Sequence, residues 1–153
     1  MIIIDVLGTP APKGSVHAFY RPGMKRAVVI PASSTKERTW ARTVRKAAVE
    51  ALEQLELTGP VFVDRPLRVE ITCFMPRPAG HWGTGRNAGV LRLNAPLVPM
   101  TKPDGDKLLR TTWDALIGVV FDDDARIADG VIRKRYADPG KEGARITIEE
   151  WKA

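Results

Sequence analysis

Residues 67–75, Leu-Arg-Val-Glu-Ile-Thr-Cys-Phe-Met, constrain the fold more than any other stretch of this chain. Leu67, Val69, Ile71, Cys73 and Met75 alternate with Arg68, Glu70, Thr72 and Phe74. A period of two predicts a strand with one buried face, because successive side chains on a pleated backbone point to opposite sides. Such a face has to be covered. Trp40, Val44, Ala47, Ala48, Ala51, Leu52 and Leu55 recur at three- and four-residue steps, the stripe of an amphipathic helix that can supply the cover. The helix is expected to start after Ser33-Ser34, where Ser34 and Glu37 stand at capping-box spacing. Its other face carries Arg38, Arg42, Arg45 and Lys46, which reads as a solvated face, with phosphate contact as the sharper alternative.

The remaining elements follow from the same two periods. Residues 2–7 alternate as a strand and are followed by the turn Gly8–Gly14. Further extended pieces are expected at Val16–Tyr20 and Ala27–Ile30, the latter ending at Pro31. Residues 76–103 form a long Gly- and Pro-rich loop that carries Arg77, His81, Trp82, Arg86 and Arg92, with a short strand possible at Val90–Leu93. A basic, aromatic loop of this kind suits contact with nucleic acid as well as it suits an idle surface. A second helix is expected from about Lys107 to Gly118, with Leu108, Leu109, Thr112, Trp113 and Leu116 facing inward. Val131–Tyr136 and Arg145–Trp151 read as the last strands. This order predicts an α+β fold: one small domain over residues 1–153, a mixed or antiparallel sheet with two main helices packed on it.

At 153 residues the chain is the size of one ordinary domain. Its single cysteine, Cys73, rules out an intrachain disulfide, and two histidines leave little for a Cys/His zinc site. No apolar run reaches membrane-spanning length, and the start, Met-Ile-Ile-Ile-Asp, lacks the pattern of a signal peptide, so a cytoplasmic setting without membrane contact is expected. The net charge of +6 is unevenly spread. Between Lys102 and Asp129 stand seven acids and four bases, which leaves the rest of the chain at +9. A basic protein with one acidic cluster is what a metal-dependent nuclease needs: bases hold phosphates, and carboxylates hold the cation.

The acidic cluster has two parts. In Thr101-Lys102-Pro103-Asp104-Gly105-Asp106-Lys107, two aspartates stand two residues apart, on one side of an extended segment. Pro103 biases Lys102 toward an extended conformation. Asp106 occupies the expected helix N-cap, where backbone N–H groups favour the ionised carboxylate that a hard cation requires. The plain alternative is a cap and a turn residue. Arg110 and Asp114 follow Asp106 at four-residue steps on one helix face, either as an ion-pair ladder or with Arg110 turned to a bound phosphate. The second part is Phe121-Asp122-Asp123-Asp124-Ala125-Arg126-Ile127, where adjacent carboxylates repel unless solvated or bound to a cation. One helix and its loop are expected to bring the two parts together.

These residues carry a resemblance. Lys-Pro-Asp-x-Asp-x-Leu-x-(basic)-x-x-x-Asp-Ala-Leu-x-Gly followed by Asp-Asp-x-x-Ile, here Lys102 to Ile127, resembles the signature of the RusA family of Holliday junction resolvases. The opening Gly8-Thr9-Pro10-Ala11-Pro12-Lys13 resembles the family's N-terminal strand and turn, and Lys134 matches a basic position in the strand after the acidic run. The resemblance implies a small α+β homodimer that binds four-way DNA junctions and makes paired incisions with Mg²⁺, Mn²⁺ being the alternative ion. It implies Asp104, Asp106 and Asp124 as metal ligands, with Asp123 as a fourth contributor. Lys13, Lys102, Lys107 and Lys134 are expected to seat the DNA backbone. Arg110 stands where the family usually has a lysine, and Lys107 where it usually has asparagine. Arginine keeps the charge but does not exchange a proton near neutral pH, which favours an electrostatic role. The alternatives are a nuclease for flaps and forks, or a DNA-binding protein that has kept the scaffold without the chemistry.

Overall fold

The alternation at 67–75 forms an interior strand of a four-stranded mixed sheet. The computed structural model describes every residue except Arg21, Met24, Ala27, Ala32 and Ala153. In chain order the elements are β1 (Ile2–Leu7), β2 (Val16–Phe19), β3 (Val28–Pro31), α1 (Thr35–Gln54), β4 (Leu67–Met75), α2 (Gly105–Leu116), β5 (Ile127–Tyr136) and β6 (Gly143–Glu150). The main sheet has the order β1-β6-β4-β5, and β2 and β3 form a separate antiparallel pair. β6 runs antiparallel to both β1 and β4, whereas β4 and β5 are parallel.

Both helices lie on one face of the sheet. Ile2, Ile4 and Val6 of β1, Ala144, Ile146 and Ile148 of β6, and the five alternating residues of β4 are buried there against Trp40, Val44, Ala48 and Leu52 of α1 and Leu108 and Leu116 of α2. The other face stays polar and is laced by Arg68–Glu70, Arg133–Glu70 and Arg145–Asp5 pairs at 2.6–2.7 Å. The two arginines hold the Glu70 carboxyl below the ordinary glutamate value, Arg133 most strongly through its hydrogen bond. Cys73 is buried within the core, and desolvation pushes its thiol up to about 12, so it is an inert packing residue at neutral pH.

The helix signals are read accurately with small corrections. Ser34 caps α1 by accepting from Glu37 N, but the Glu37 carboxylate accepts from Gly14 N rather than closing the capping box. Leu55, expected on the inward stripe, is the C-cap and is 52% exposed, because the helix has ended there. α2 starts two residues earlier than the pattern suggested, so Asp104 and not Asp106 is its N-cap. The glycine between them enters the first turn. Gly118 follows the helix end with φ of +73°, the left-handed conformation glycine adopts without a Cβ clash. Over Val90–Leu93 there is no strand, only an isolated bridge from Leu91 to Trp82. Ala27, the expected start of the third extended piece, lies outside the described residues.

Candidate functional site

β4, the 76–104 segment, α2 and β5 make a βαβ crossover between neighbouring parallel strands. The N-terminus of α2 therefore lies beyond the carboxyl end of β4, the crevice position where open sheets bind ligands. Lys134, near the end of β5, fixes the approach to α2. Its ammonium donates to the Thr101 carbonyl at 2.9 Å and to the Pro103 carbonyl at 3.1 Å. The Lys102–Pro103 peptide bond is cis. Lys134, expected on the DNA, thus holds the backbone that delivers Asp104. The sequence showed its charge but gave no sign of this partner.

Asp104 and Asp106 are both exposed at this end of α2. The Asp104 carboxylate makes no capping hydrogen bond and lies 3.7 Å from the Lys107 ammonium. Lys107 also donates to Ser15 Oγ at 3.2 Å, and Lys13 N donates to the Lys107 carbonyl at 3.0 Å. The N-terminal turn is thereby laid along α2, and Lys13 pairs with Asp114. Of the two arrangements open to Asp106, Arg110 and Asp114, the ion-pair ladder does not form: Lys13 takes Asp114, and Arg110 pairs with neither acid. Arg110 stands exposed on the outer face of the helix.

A cleft of about 860 Å³ opens beside Asp104, between the N-terminal turn, the start of α1 and the 102–107 segment. Lys13, Lys36, Lys102 and Lys107 line it together with an apolar floor that includes Pro10, Pro12 and Met75. Cations over an apolar floor suit a nucleic-acid strand, whose phosphates take the charge and whose sugars and bases take the apolar contact. Lys36 was missed in the sequence, because it stands in the first turn of α1, ahead of the Arg38, Arg42, Arg45 and Lys46 face. The 76–103 segment packs against the end of β5. The Arg77 guanidinium lies 4.1 Å from the Tyr136 ring centroid and donates to the Pro96 carbonyl at 2.9 Å. Arg92 donates to the Trp82 carbonyl at 2.9 Å. Two of the loop's arginines are therefore engaged within it, while Arg86 is exposed.

The acidic run lies past the other end of α2, in the turn that leads into β5. Asp122 N donates to the Phe62 carbonyl, and Arg126 pairs with Asp122 at 3.4 Å and Asp64 at 3.0 Å. Desolvation at the Asp122 carboxyl opposes ionisation. Its own and Asp64's backbone N–H groups, with Arg126, outweigh that and hold the group below the ordinary aspartate value. Asp123 caps the short 3₁₀ turn by accepting from Ala125 N at 2.9 Å. Asp124 begins that turn and is exposed, with no ion pair among the described residues.

The two acidic parts do not converge within one chain. The 12 residues of α2 rise about 18 Å. β5 gives a second ruler: Lys134, bonded beside Asp104, is seven residues beyond Ile127, about 23 Å of extended chain from the end that adjoins Asp124. Carboxylates sharing one cation each bind it within about 2.0–2.6 Å. Among the described residues no three His, Cys, Asp or Glu side chains gather into a group able to hold a metal ion. One chain thus carries two separate carboxylate groups, Asp104 with Asp106 and Asp123 with Asp124. Among the described residues no helix is long and apolar enough to cross a membrane.

Residues 12–149 of the 153 match the family model described as Endodeoxyribonuclease RusA. No curated protein matches the chain.

Proposed function

The chain belongs to the RusA endodeoxyribonuclease family, and we propose that it is a divalent-metal-dependent nuclease that resolves four-way DNA junctions as a homodimer. The observation that carries the reading is the end of α2: exposed Asp104 and Asp106 beside a lysine-rimmed cleft, on a segment held by Lys134. Hard carboxylate oxygens are the donors that Mg²⁺ and Mn²⁺ prefer. Such an ion would be held in the homodimer by Asp104 and Asp106 of one chain with Asp124 of the partner subunit, Asp123 of the partner subunit beside it, and would supply Lewis acidity at the phosphate and a water of lowered pKa.

The chain's own side chains account for the rest. Lys13, Lys36, Lys102 and Lys107 take the phosphates that flank the scissile one and orient the strand along the cleft. Arg110, one helical turn from Asp106, stabilises the negative charge that builds on the phosphate oxygens during attack. It remains charged throughout, so the proton of the attacking water leaves by another route, to bulk solvent or a free carboxylate. Lys134 is a positioning residue: by tying down the 101 and 103 carbonyls it fixes where Asp104 stands.

The test is cleavage of a synthetic four-way junction, a flap and a linear duplex, each with Mg²⁺ and with EDTA. The expected result is metal-dependent paired incision of the four-way junction with the linear duplex left intact. Cutting confined to flaps would reassign the substrate. Binding without metal-dependent cutting of any branched DNA would overturn the enzyme reading.

A further inference from the structure

We propose that the turn at residues 92–96 presents an apolar wedge: Leu93, with Leu97 beside it, covers the unstacked base pairs at the branch point of a DNA substrate and so selects branched DNA over linear duplex. This rests on the nuclease reading, but its support comes from a separate part of the chain.

The 76–103 segment concentrates exposed apolar side chains. Val90, Leu91, Leu93, Leu97, Val98 and Met100 all face solvent. Exposed leucines scattered singly need no explanation, but six large apolar side chains between positions 90 and 100 do. Leu93 is the extreme case. It is fully exposed and occupies the first central position of a turn in which Ala95 N donates to the Arg92 carbonyl at 3.0 Å. Turn tips ordinarily carry Gly, Pro, Asn, Asp or Ser.

The turn is moored at both feet. On one side the Arg92 N–H donates to the His81 carbonyl at 2.9 Å, and the His81 ring meets the Tyr136 ring edge-on at 5.5 Å. On the other side Arg77, whose guanidinium lies over the Tyr136 ring, donates to the Pro96 carbonyl. Tyr136 ends β5, just beyond Lys134, whose ammonium holds the Thr101 and Pro103 carbonyls next to Asp104. The short stretch of strand from Lys134 to Tyr136 spans about 7 Å, so the two moorings stand side by side at one end of the sheet. Leu93 is thereby displayed on the same end of the molecule as Asp104. Its turn is already ordered, and binding demands little further ordering.

Charge selects the occupant. From Ile71 to Pro103 the sequence has no aspartate or glutamate, while Arg77, Arg86, Arg92 and Lys102 are cationic. An apolar strip among cations, with no anion in its own segment, suits a ligand that is anionic outside and apolar inside. Stacked bases between phosphodiester backbones fit that description. Within a linear duplex each inner base-pair face is already stacked on its neighbour. At a branch point the pairs that border the crossing have a face without a stacked neighbour, and an aliphatic side chain placed there removes that face from water. A linear duplex offers Leu93 no such face, which makes the wedge a specificity device.

The test reads base stacking apart from cleavage. A four-way junction carries the fluorescent base 2-aminopurine beside the crossing, and protein is added in EDTA. Its fluorescence rises when stacking is lost. Bound wild type is expected to raise it about three-fold at the crossing and not in a linear duplex. The double variant Leu93→Ser, Leu97→Ser should lose most of that rise, with junction affinity in a gel shift kept within about three-fold and the melting temperature unchanged, both side chains being exposed. In Mg²⁺ the same variant should cut the junction about ten-fold more slowly and recover on a junction with unpaired nucleotides at the crossing, which is open without a wedge. An undiminished rise in the variant, no rise with bound wild type, or an equal loss of cutting on the pre-opened junction would overturn the wedge and leave the nuclease reading standing. A lower sedimentation mass of the variant, with the rise intact, would assign the strip to a second copy of the chain and overturn it too. Failure to bind any branched DNA would overturn both readings.

Discussion

The two ends of α2 carry the same residue type and use it differently. At the amino end, Asp104 and Asp106 are exposed, Asp104 lines a cleft of about 860 Å³ together with four lysines, and the segment before them is anchored by Lys134. At the other end, Asp122 is tied into an ion pair with Arg126, Asp123 caps a turn, and Asp124 alone is left without a structural task among the described residues. The first end is arranged around space for a ligand; the second is a tight turn with one spare carboxylate. The contrast separates acids that hold the fold from acids that are available for chemistry, which a count of aspartates does not do.

The largest effect that can break this contrast compares Asp104→Asn with Asp122→Asn. The first should lower junction cleavage by about 1,000-fold while leaving junction affinity within a few-fold, as read by gel-shift and single-turnover cleavage. The second should leave the cleavage rate within about three-fold and instead lower thermal stability, because Arg126 is left without one of its partners. A reversed order would mean that the two ends have been assigned the wrong way round. Arg110→Ala should cost about 100-fold in cleavage rate, and Arg110→Lys should recover most of it, since the role is charge at the phosphate. Retained activity in Arg110→Ala would remove Arg110 from the site.

Smaller effects sharpen the role of the anchor. Lys134→Met should reduce the single-turnover rate about ten-fold with little change in junction affinity, and Lys134→Arg should restore part of it. A loss of affinity with an unchanged rate would instead make Lys134 a DNA contact, as its charge alone suggested. The smallest effect lies away from both ends, at the polar face. The folded pKa of Glu70 is depressed by Arg133 and Arg68, so its contribution to stability is full above the unfolded glutamate value, about 4.3. It is lost as pH falls through the lower folded value. Glu70→Gln should therefore lower the melting temperature by a few degrees at neutral pH, and the difference from wild type should vanish in acid. Cleavage at neutral pH should not change.

Much of this was legible in the sequence because it depends on local period and type. The alternation of Leu67 through Met75 and the three- and four-residue steps from Trp40 to Leu52 each encode one element and its buried face, and packing followed. The acids of the site were legible as residues because the motif from Lys102 to Ile127 is contiguous. Their arrangement was less so. The start of α2 was placed two residues late because Gly105 is a poor helix former that is tolerated where the turn rests against Ile132. Convergence of the two acidic groups was expected from chain order, yet the rise of a 12-residue helix already separates its ends. The bonds from Lys134 to residues 101 and 103 join positions some 30 apart through the sheet register, which no local pattern encodes.

The most direct test of the whole account uses a purified mixed dimer with Asp104→Asn in one chain and Asp124→Asn in the other. Each substitution alone, in a homodimer, should disable both sites. With sites shared between subunits, both substitutions of the mixed dimer should fall in one site and leave the other intact. Such a dimer should nick a single strand of a four-way junction in Mg²⁺, at about half the wild-type rate of first incision. A mixed dimer as inactive as its two parents would contradict the sharing of sites.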